Sequence, residues 1–259
     1  MARARCGAAS GIGLTLALAL LPAVAAADVD LPFGVGERIA MRITYAHLLA
    51  GRAVVSVVSG AHDGRPTLEF VAEARSEGLV SWLFRVDDRS VATWDPATSC
   101  SLGIDKRLLE GRHSRTQSVR IDSQAGLAEV EDPSISPKRF DVPRCVLDVL
   151  SALFVTRMRG VPENGDITLP VFDNGHAYSL AVRYVGRERL DLPPPLGNRV
   201  PTVIVEPLLR EGTGLFVSKG RLTIWLTDDA RRIPVRMRSK VALGSVSADL
   251  ESYTPASAP

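Results

Sequence analysis

Long apolar runs are nearly absent from this 259-residue chain. The one run, Ile12 to Leu21, falls short of the roughly 20 residues of a membrane-spanning helix. Arg3 and Arg5 precede it and Ala25-Ala26-Ala27 follow it. A basic start, a short apolar run and small residues make the layout of a secretory signal, with cleavage expected between Ala27 and Asp28. No second such run follows, so no transmembrane segment is expected after cleavage, and the protein is expected to be exported to the periplasm. Cysteine is equally scarce, with three in the chain. Cys6 lies ahead of the apolar run and none stands at the cleavage point, which argues against a lipoprotein anchor. An excess of charge is missing too. The leader holds two arginines and no acid, so residues 28–259 carry 29 basic and 29 acidic residues. Bulk attraction to nucleic acid is therefore not expected.

Catalytic signatures are also missing. The sequence has no nucleophile elbow, no phosphate-cradling glycine loop opening a helix, and no pair of histidines at zinc spacing. His47, His62, His113 and His176 are scattered over turns and strands, and Gly34-Val35-Gly36 stands outside any βαβ unit. Neither a cofactor, a metal site nor a catalytic set is expected. Two acidic pairs remain. Asp228-Asp229 falls where a hairpin must turn, a place that aspartate favours through its own side-chain hydrogen bonds. Asp87-Asp88 follows an apolar stretch and is a candidate for acid–base work at a cavity rim.

Two cysteines, Cys100 and Cys145, survive cleavage. In an oxidising compartment they are expected to pair, closing a loop of about 45 residues worth about 4 kcal/mol in the chain-entropy model. Two buried free thiols are the alternative.

What the chain does contain is alternation. Ile39, Met41, Ile43 and Tyr45 alternate with Arg38, Ala40, Arg42 and Thr44, the period of a half-buried strand. Leu68–Arg75 repeats the pattern, and Arg52–Val58 is more continuously apolar, as fits a strand covered on both faces. Further strands are expected at Ser90–Trp94, Leu102–Leu109, Ser114–Asp122, Ala128–Asp132 and Ile167–Phe172, and then at Tyr178–Arg187, Pro201–Glu206, Gly220–Thr227, Ile233–Val241 and Ser245–Tyr253. Turn signals separate them, among them His62-Asp63-Gly64, Asp95-Pro96 and Asp173-Asn174-Gly175. Residues 142–159 instead place Val146, Val149, Leu150, Leu153, Phe154 and Met158 on one helical stripe, with Pro143 near the start and Gly160 as a stop. A shorter helix is expected over Ser76–Phe84. The Pro-rich stretch Asp191–Val200 reads as a stiff exposed connection and residues 254–259 as a disordered tail.

The fold expected is mainly β. One domain over residues 28–253 forms a single, strongly curved antiparallel sheet or β-barrel, with the 142–159 helix packed against its concave side. The last hairpins hold the best candidate binding face. Arg236, Arg238 and Lys240 share one side of a strand, and Lys219, Arg221 and Trp225 share one side of its neighbour. Such a face suits phosphate or carboxylate groups, with the aromatic ring against a lipid or sugar; an ordinary solvated strand face, neutralised by Asp249, Glu251 and similar residues, is the bland alternative.

Four stretches in order, FGVGERIAMRITYAHLLAGRA, GLVSWLFRVDDRSVATWDPAT, CVLDVLSALFVTR and KGRLTIWLTDDARRIPVRMRSKVALGSVSADLESY, resemble the bacterial domain-of-unknown-function family numbered 3108, from Phe33 to Tyr253. The resemblance implies an exported β-rich protein and supplies no catalytic residues. The loop PPPLGNRVPT departs from the family's pattern. The functional expectation is thus a non-catalytic envelope protein that binds a lipid-like or amphiphilic component. A protein-interaction or structural role in envelope assembly is the alternative, and a glycan hydrolase using Asp87 or Asp88 stands third.

Overall fold

Successive hairpins build one antiparallel sheet of fourteen strands in the computed structural model, which describes residues 31–208, 221–241 and 244–257. The expected leader, Ala27 and Asp28 included, lies outside the described residues. The first meander runs β1 (Arg38–Tyr45), β2 (Leu48–His62), β3 (Arg65–Ser76), the single-turn helix α1 (Gly78–Leu83), β4 (Asp87–Asp95), β5 (Cys100–Glu110), β6 (His113–Asp122), β7 (Leu127–Asp132) and β8 (Ile135–Asp141). Helix α2 (Val149–Arg159) follows. The second meander is β9 (Asp166–Asp173), β10 (His176–Leu190), β11 (Val200–Leu208), β12 (Leu222–Thr227), β13 (Pro234–Val241) and β14 (Gly244–Thr254). Pairing of β1 with β14 joins the two meanders, so β8 and β9 are left as the sheet edges, one on each side of α2 in the chain.

Turn chemistry fixes the register. Asp63-Gly64 and Asn174-Gly175 are two-residue loops with both residues at positive φ (50° and 74°, 48° and 78°), the twist that a tight hairpin requires. Ala46-His47 adopts the same conformation without a glycine (φ 46° and 69°). Because neighbouring strands are antiparallel, the 46–47, 111–112 and 174–175 tips stand at one end of the sheet, the Ala46 end, together with α1. The 63–64, 96–99 and 228–233 connections stand at the other, the Asp63 end.

The sheet curls into a barrel that no strand ladder among the described residues closes. Residues 142–148 are stitched into the gap. Leu147 donates to Pro170 O (2.9 Å) and accepts from Phe172 N–H (2.8 Å) on β9, while Val142 donates to Gly126 O (2.9 Å). A disulfide of 1.99 Å between Cys145 and Cys100 ties the same segment to β5. This covers part of the β9 edge against pairing with other chains. It also corrects the expected helix, which begins at Val149 and not near Pro143. Asp148 is the true N-cap, accepting from the N–H groups of Leu150 and Ser151 (2.8 and 3.0 Å), and Cys145 at φ 56° lies outside the helical region. Gly160 ends the helix, as the sequence suggests.

Helix α2 lies inside the barrel. Phe154 stacks on Phe70 of β3 (3.7 Å between ring centres), and Phe33 meets both rings edge-on. Its last turn is locked by Arg157, which is fully buried. The guanidinium makes a bidentate pair with Glu37 (2.7 and 2.8 Å) and donates further to the carbonyls of Pro32, Arg231 and Arg232. This ties the end of the helix to the Asp63 end of the sheet. A second cluster holds Ile39, Met41, Trp225, Ile233, Val235 and Leu250. Leu192 and Leu196 of the Pro-rich connection fold onto it, so that connection packs instead of standing free. The tail departs from expectation as well. Thr254 pairs with Arg38 in the sheet, and Ser257 N–H donates to Val35 O (2.9 Å).

Candidate functional site

The predicted basic face is assembled in register. Trp225 pairs with Arg236 and Thr223 with Arg238, so the cations and the indole share a side. Arg236 and Arg238 lie 5.9 and 5.4 Å from the Trp225 ring centre. Strands remote in sequence supply acids, however. Arg236 pairs with Asp249 (2.5 Å) and Arg221 with Glu206 (2.6 Å), and the Trp225 indole N–H donates to Glu188 (2.7 Å). Trp225 is itself buried, while Arg238 and Lys240 are exposed. Lys219 lies outside the described residues. The face is a largely charge-compensated surface with its aromatic ring withdrawn.

The acidic pairs are separated by their geometry. Asp87 and Asp88 are consecutive on β4, so their side chains diverge. Asp87 pairs with Arg75 (3.1 Å), and Asp88 accepts from Leu109 N–H (2.9 Å). Burial, with Glu110 and Asp87 adding to it, pushes the Asp88 carboxyl above its usual range. Asp229 organises its turn, accepting from the Thr227 hydroxyl, the Arg231 side chain and the N–H of Arg232. Burial raises its carboxyl, but those bonds outweigh it and hold the group below the usual range. Asp228 pairs with Arg187 (3.2 Å). The four histidines stay apart at strand ends and turns.

Two depressions border α2. Near its C-terminus, at the Asp63 end, an open hollow of about 480 Å³ is rimmed by Arg159, Arg187, Arg232, Glu163, Asp228 and Asp229. Arg187 bridges Glu163 and Asp228, and Arg232 donates to Arg157 O at the helix end. Its charges are mostly spent on one another. The second is a cavity of about 260 Å³ between the N-terminal half of α2 and the inner face of β10–β13. Leu150, Leu153, Leu180, Val182, Val205 and Ile224 line it, and it lies toward the Ala46 end. Its size exceeds the roughly 150 Å³ of an apolar cavity known to take benzene.

Among the described residues, two side chains lining this cavity carry a polar atom, Thr156 and Tyr178. The Thr156 hydroxyl donates within the helix to Ala152 O (2.7 Å). The Tyr178 hydroxyl is buried with no hydrogen-bond partner. Nearby, Lys106 of β5 and Asp173 of β9 form a buried ion pair (2.5 Å), and Asn174 donates to the other Asp173 oxygen (3.1 Å). Burial, with Asp173 adding to it, pushes the Tyr178 phenol up to about 12.

Sequence reasoning missed Tyr178, the Lys106–Asp173 pair and the Glu37–Arg157 pair. Arg157 alone left a signal, since it interrupts an otherwise apolar helix between Val155 and Met158.

A curled antiparallel sheet around an internal helix, with an apolar cavity between them, defines a β-barrel-like protein with a hollow interior. Residues 40–251 match the family described as "Protein of unknown function (DUF3108)", and the chain belongs to that family. Its fold is similar to the crystal structure of a β-barrel-like protein of domain of unknown function DUF1849 from Brucella abortus, with a TM-score of 0.58. That likeness covers 87% of this chain and 100% of the other at 12% identity, and it speaks for the fold alone. No curated protein matches the sequence. No helix among the described residues is long and apolar enough to cross a membrane.

Proposed function

We propose that this is a non-catalytic protein of the periplasm that holds the apolar part of a lipid-like or amphiphilic envelope component in the cavity between α2 and β10–β13. The cavity is the observation that carries the reading. Its aliphatic walls favour hydrocarbon, and a preformed apolar space is the usual form of a small-molecule site. The leader-like residues 1–27 and the Cys100–Cys145 disulfide support an exported, oxidising setting. The test is native mass spectrometry of protein purified from its own host, beside a fluorescent fatty-chain displacement assay. Bound lipid, and displacement that Val182→Trp abolishes by filling the space, are expected. Probe binding unaffected by Val182→Trp would refute the cavity as the site.

A second reading, a partner-binding role in envelope assembly, draws on a different observation. Trp82 is 90% exposed and Leu48 65% exposed, with Leu49 and Phe84 also exposed at the Ala46 end. Crosslinking in cells from position 82 tests it. One stoichiometric protein partner, lost on Trp82→Ser with Phe84→Ser, supports this role, and diffuse labelling opposes it.

A further inference from the structure

Tyr178 lines a cavity walled mostly by hydrocarbon, and its hydroxyl is buried with no hydrogen-bond partner. Burying such a group without a partner is costly, so a buried hydroxyl of this kind calls for an explanation. The nearby Asp173 carboxylate accepts from Lys106 and Asn174 and makes no bond to the phenol. The only other polar side chain on the cavity wall among the described residues, Thr156, is satisfied within its own helix. Among the described lining residues, Tyr178 is thus the one with a hydroxyl still unbonded.

We infer that Tyr178 is a specificity-determining residue, donating a hydrogen bond from its hydroxyl to a neutral oxygen acceptor of the bound amphiphile, such as a carbonyl, ether or hydroxyl oxygen. This rests on the cavity reading above and narrows its ligand class. The phenol is fully protonated at neutral pH, since its pKa is pushed up to about 12 by burial and by Asp173. It is thus a standing donor. A carboxylate in this apolar space would give up its water for a single neutral donor, a costly exchange, so the acceptor is neutral. A hydrocarbon without oxygen leaves the hydroxyl unpaired, and discrimination against a ligand that lacks the matching polar group is the strong form of selectivity.

The experiment is calorimetric titration of the full chain with decan-2-one, n-undecane and decanoate, for wild type and Tyr178→Phe. The ratio of ketone to alkane affinity is expected to fall about tenfold in the variant, the size of one neutral hydrogen bond, with alkane affinity unchanged. The decanoate-to-alkane ratio is expected to stay within about threefold of wild type. The ligand-free variant is expected to melt no lower than wild type, because it loses an unpaired group and keeps the ring. An unchanged ketone-to-alkane ratio, with alkane still bound, overturns the inference and leaves the cavity reading standing. A fall confined to decanoate overturns the neutral-acceptor assignment. Failure of all three probes to bind wild type overturns the cavity reading, and the inference goes with it.

Discussion

Replacing Arg157 with Met tests the lock at the Asp63 end of the barrel. The side chain has no exposure and Glu37 has 1%. Every face of the guanidinium is used: two bonds to Glu37, others to three backbone carbonyls, and ring contacts with Phe33 and Phe154 at 5.3 and 5.2 Å. Met fills much of the volume but leaves a buried carboxylate whose remaining donor is the Tyr253 hydroxyl (3.1 Å). Breaking one side of a buried, hydrogen-bonded pair costs about 3–5 kcal/mol. At roughly 2–4 °C per kcal/mol for a domain of this size, the melting temperature should fall by about 6–20 °C.

The informative measurement is a double-mutant cycle by urea unfolding. Glu37→Gln alone should also be costly, because its amide group meets the guanidinium as a second donor. Together with Arg157→Met it faces no cation and still accepts from Tyr253. The double variant should therefore be less destabilised than the sum of the singles, by about 2 kcal/mol. A single-variant cost below about 1 kcal/mol, or additivity within about 0.5 kcal/mol, would refute the reasoning that this pair acts as one buried unit.

Two further predictions concern the segment that fills the sheet gap. Cys145→Ser, or reduction, should lower stability by about 4 kcal/mol from loop entropy over the 45-residue separation; urea midpoints with and without reductant give the value, and coincident midpoints would show that the hydrogen bonds of residues 142–148 suffice alone. At Asp148, burial raises the carboxyl above its usual range even though Ser101, Ser151 and Leu150 donate to it. The native state then keeps this proton longer than the unfolded chain, so this residue's contribution is greatest below the unfolded value of about 3.9 and falls as pH rises through the native one. Asp148→Asn keeps the cap, so wild-type stability minus variant stability should decline as pH rises from about 4. A flat difference counts against the shift.

The strands were legible because one face of each is buried, and burial on one face writes period two into the sequence. Strand β8 escaped for the same reason reversed. Ile135-Ser-Pro-Lys-Arg-Phe-Asp has little alternation, and Pro137 suits an edge strand, where a missing donor costs no ladder bond. The helix start was misread because Val142, Val146 and Leu147 are apolar for another purpose: they line the stitched gap and not a helical face. The basic face was legible in its register, which two adjacent hairpin strands determine. Its neutralisation was legible only in part: Asp249 lies on the next hairpin strand, whereas Glu188 and Glu206 come from β10 and β11, which no local pattern places beside it. The cavity was invisible for a similar reason. Aliphatic residues that line a void read the same as aliphatic residues that fill a core.

The position of that cavity follows from how fourteen strands are filled. Side chains alone fill a barrel of about eight strands, and wider ones need a plug or leave a space. Here α2 is the plug, and it is drawn to one wall. On the side of β3 and β4 its Phe154 meets Phe33 and Phe70 in close aromatic contact, and Trp94 packs on those two rings. Facing β10–β13 it meets Val182, Val205 and Ile224, side chains too short to span what remains. Hydrophobic attraction alone would let the helix shift and share the void between both walls. Arg157 prevents this, since its carbonyl and carboxylate partners are fixed at one place and each bond is directional. The same bonds fix the C-terminal turn of α2 at the Asp63 end, and with it the width of the space beside β10–β13. Arg157→Met should therefore weaken hydrocarbon binding even at temperatures where the variant is fully folded. A folded variant that binds n-undecane as wild type does would separate the lock from the cavity and leave the void to be explained by β10–β13 alone.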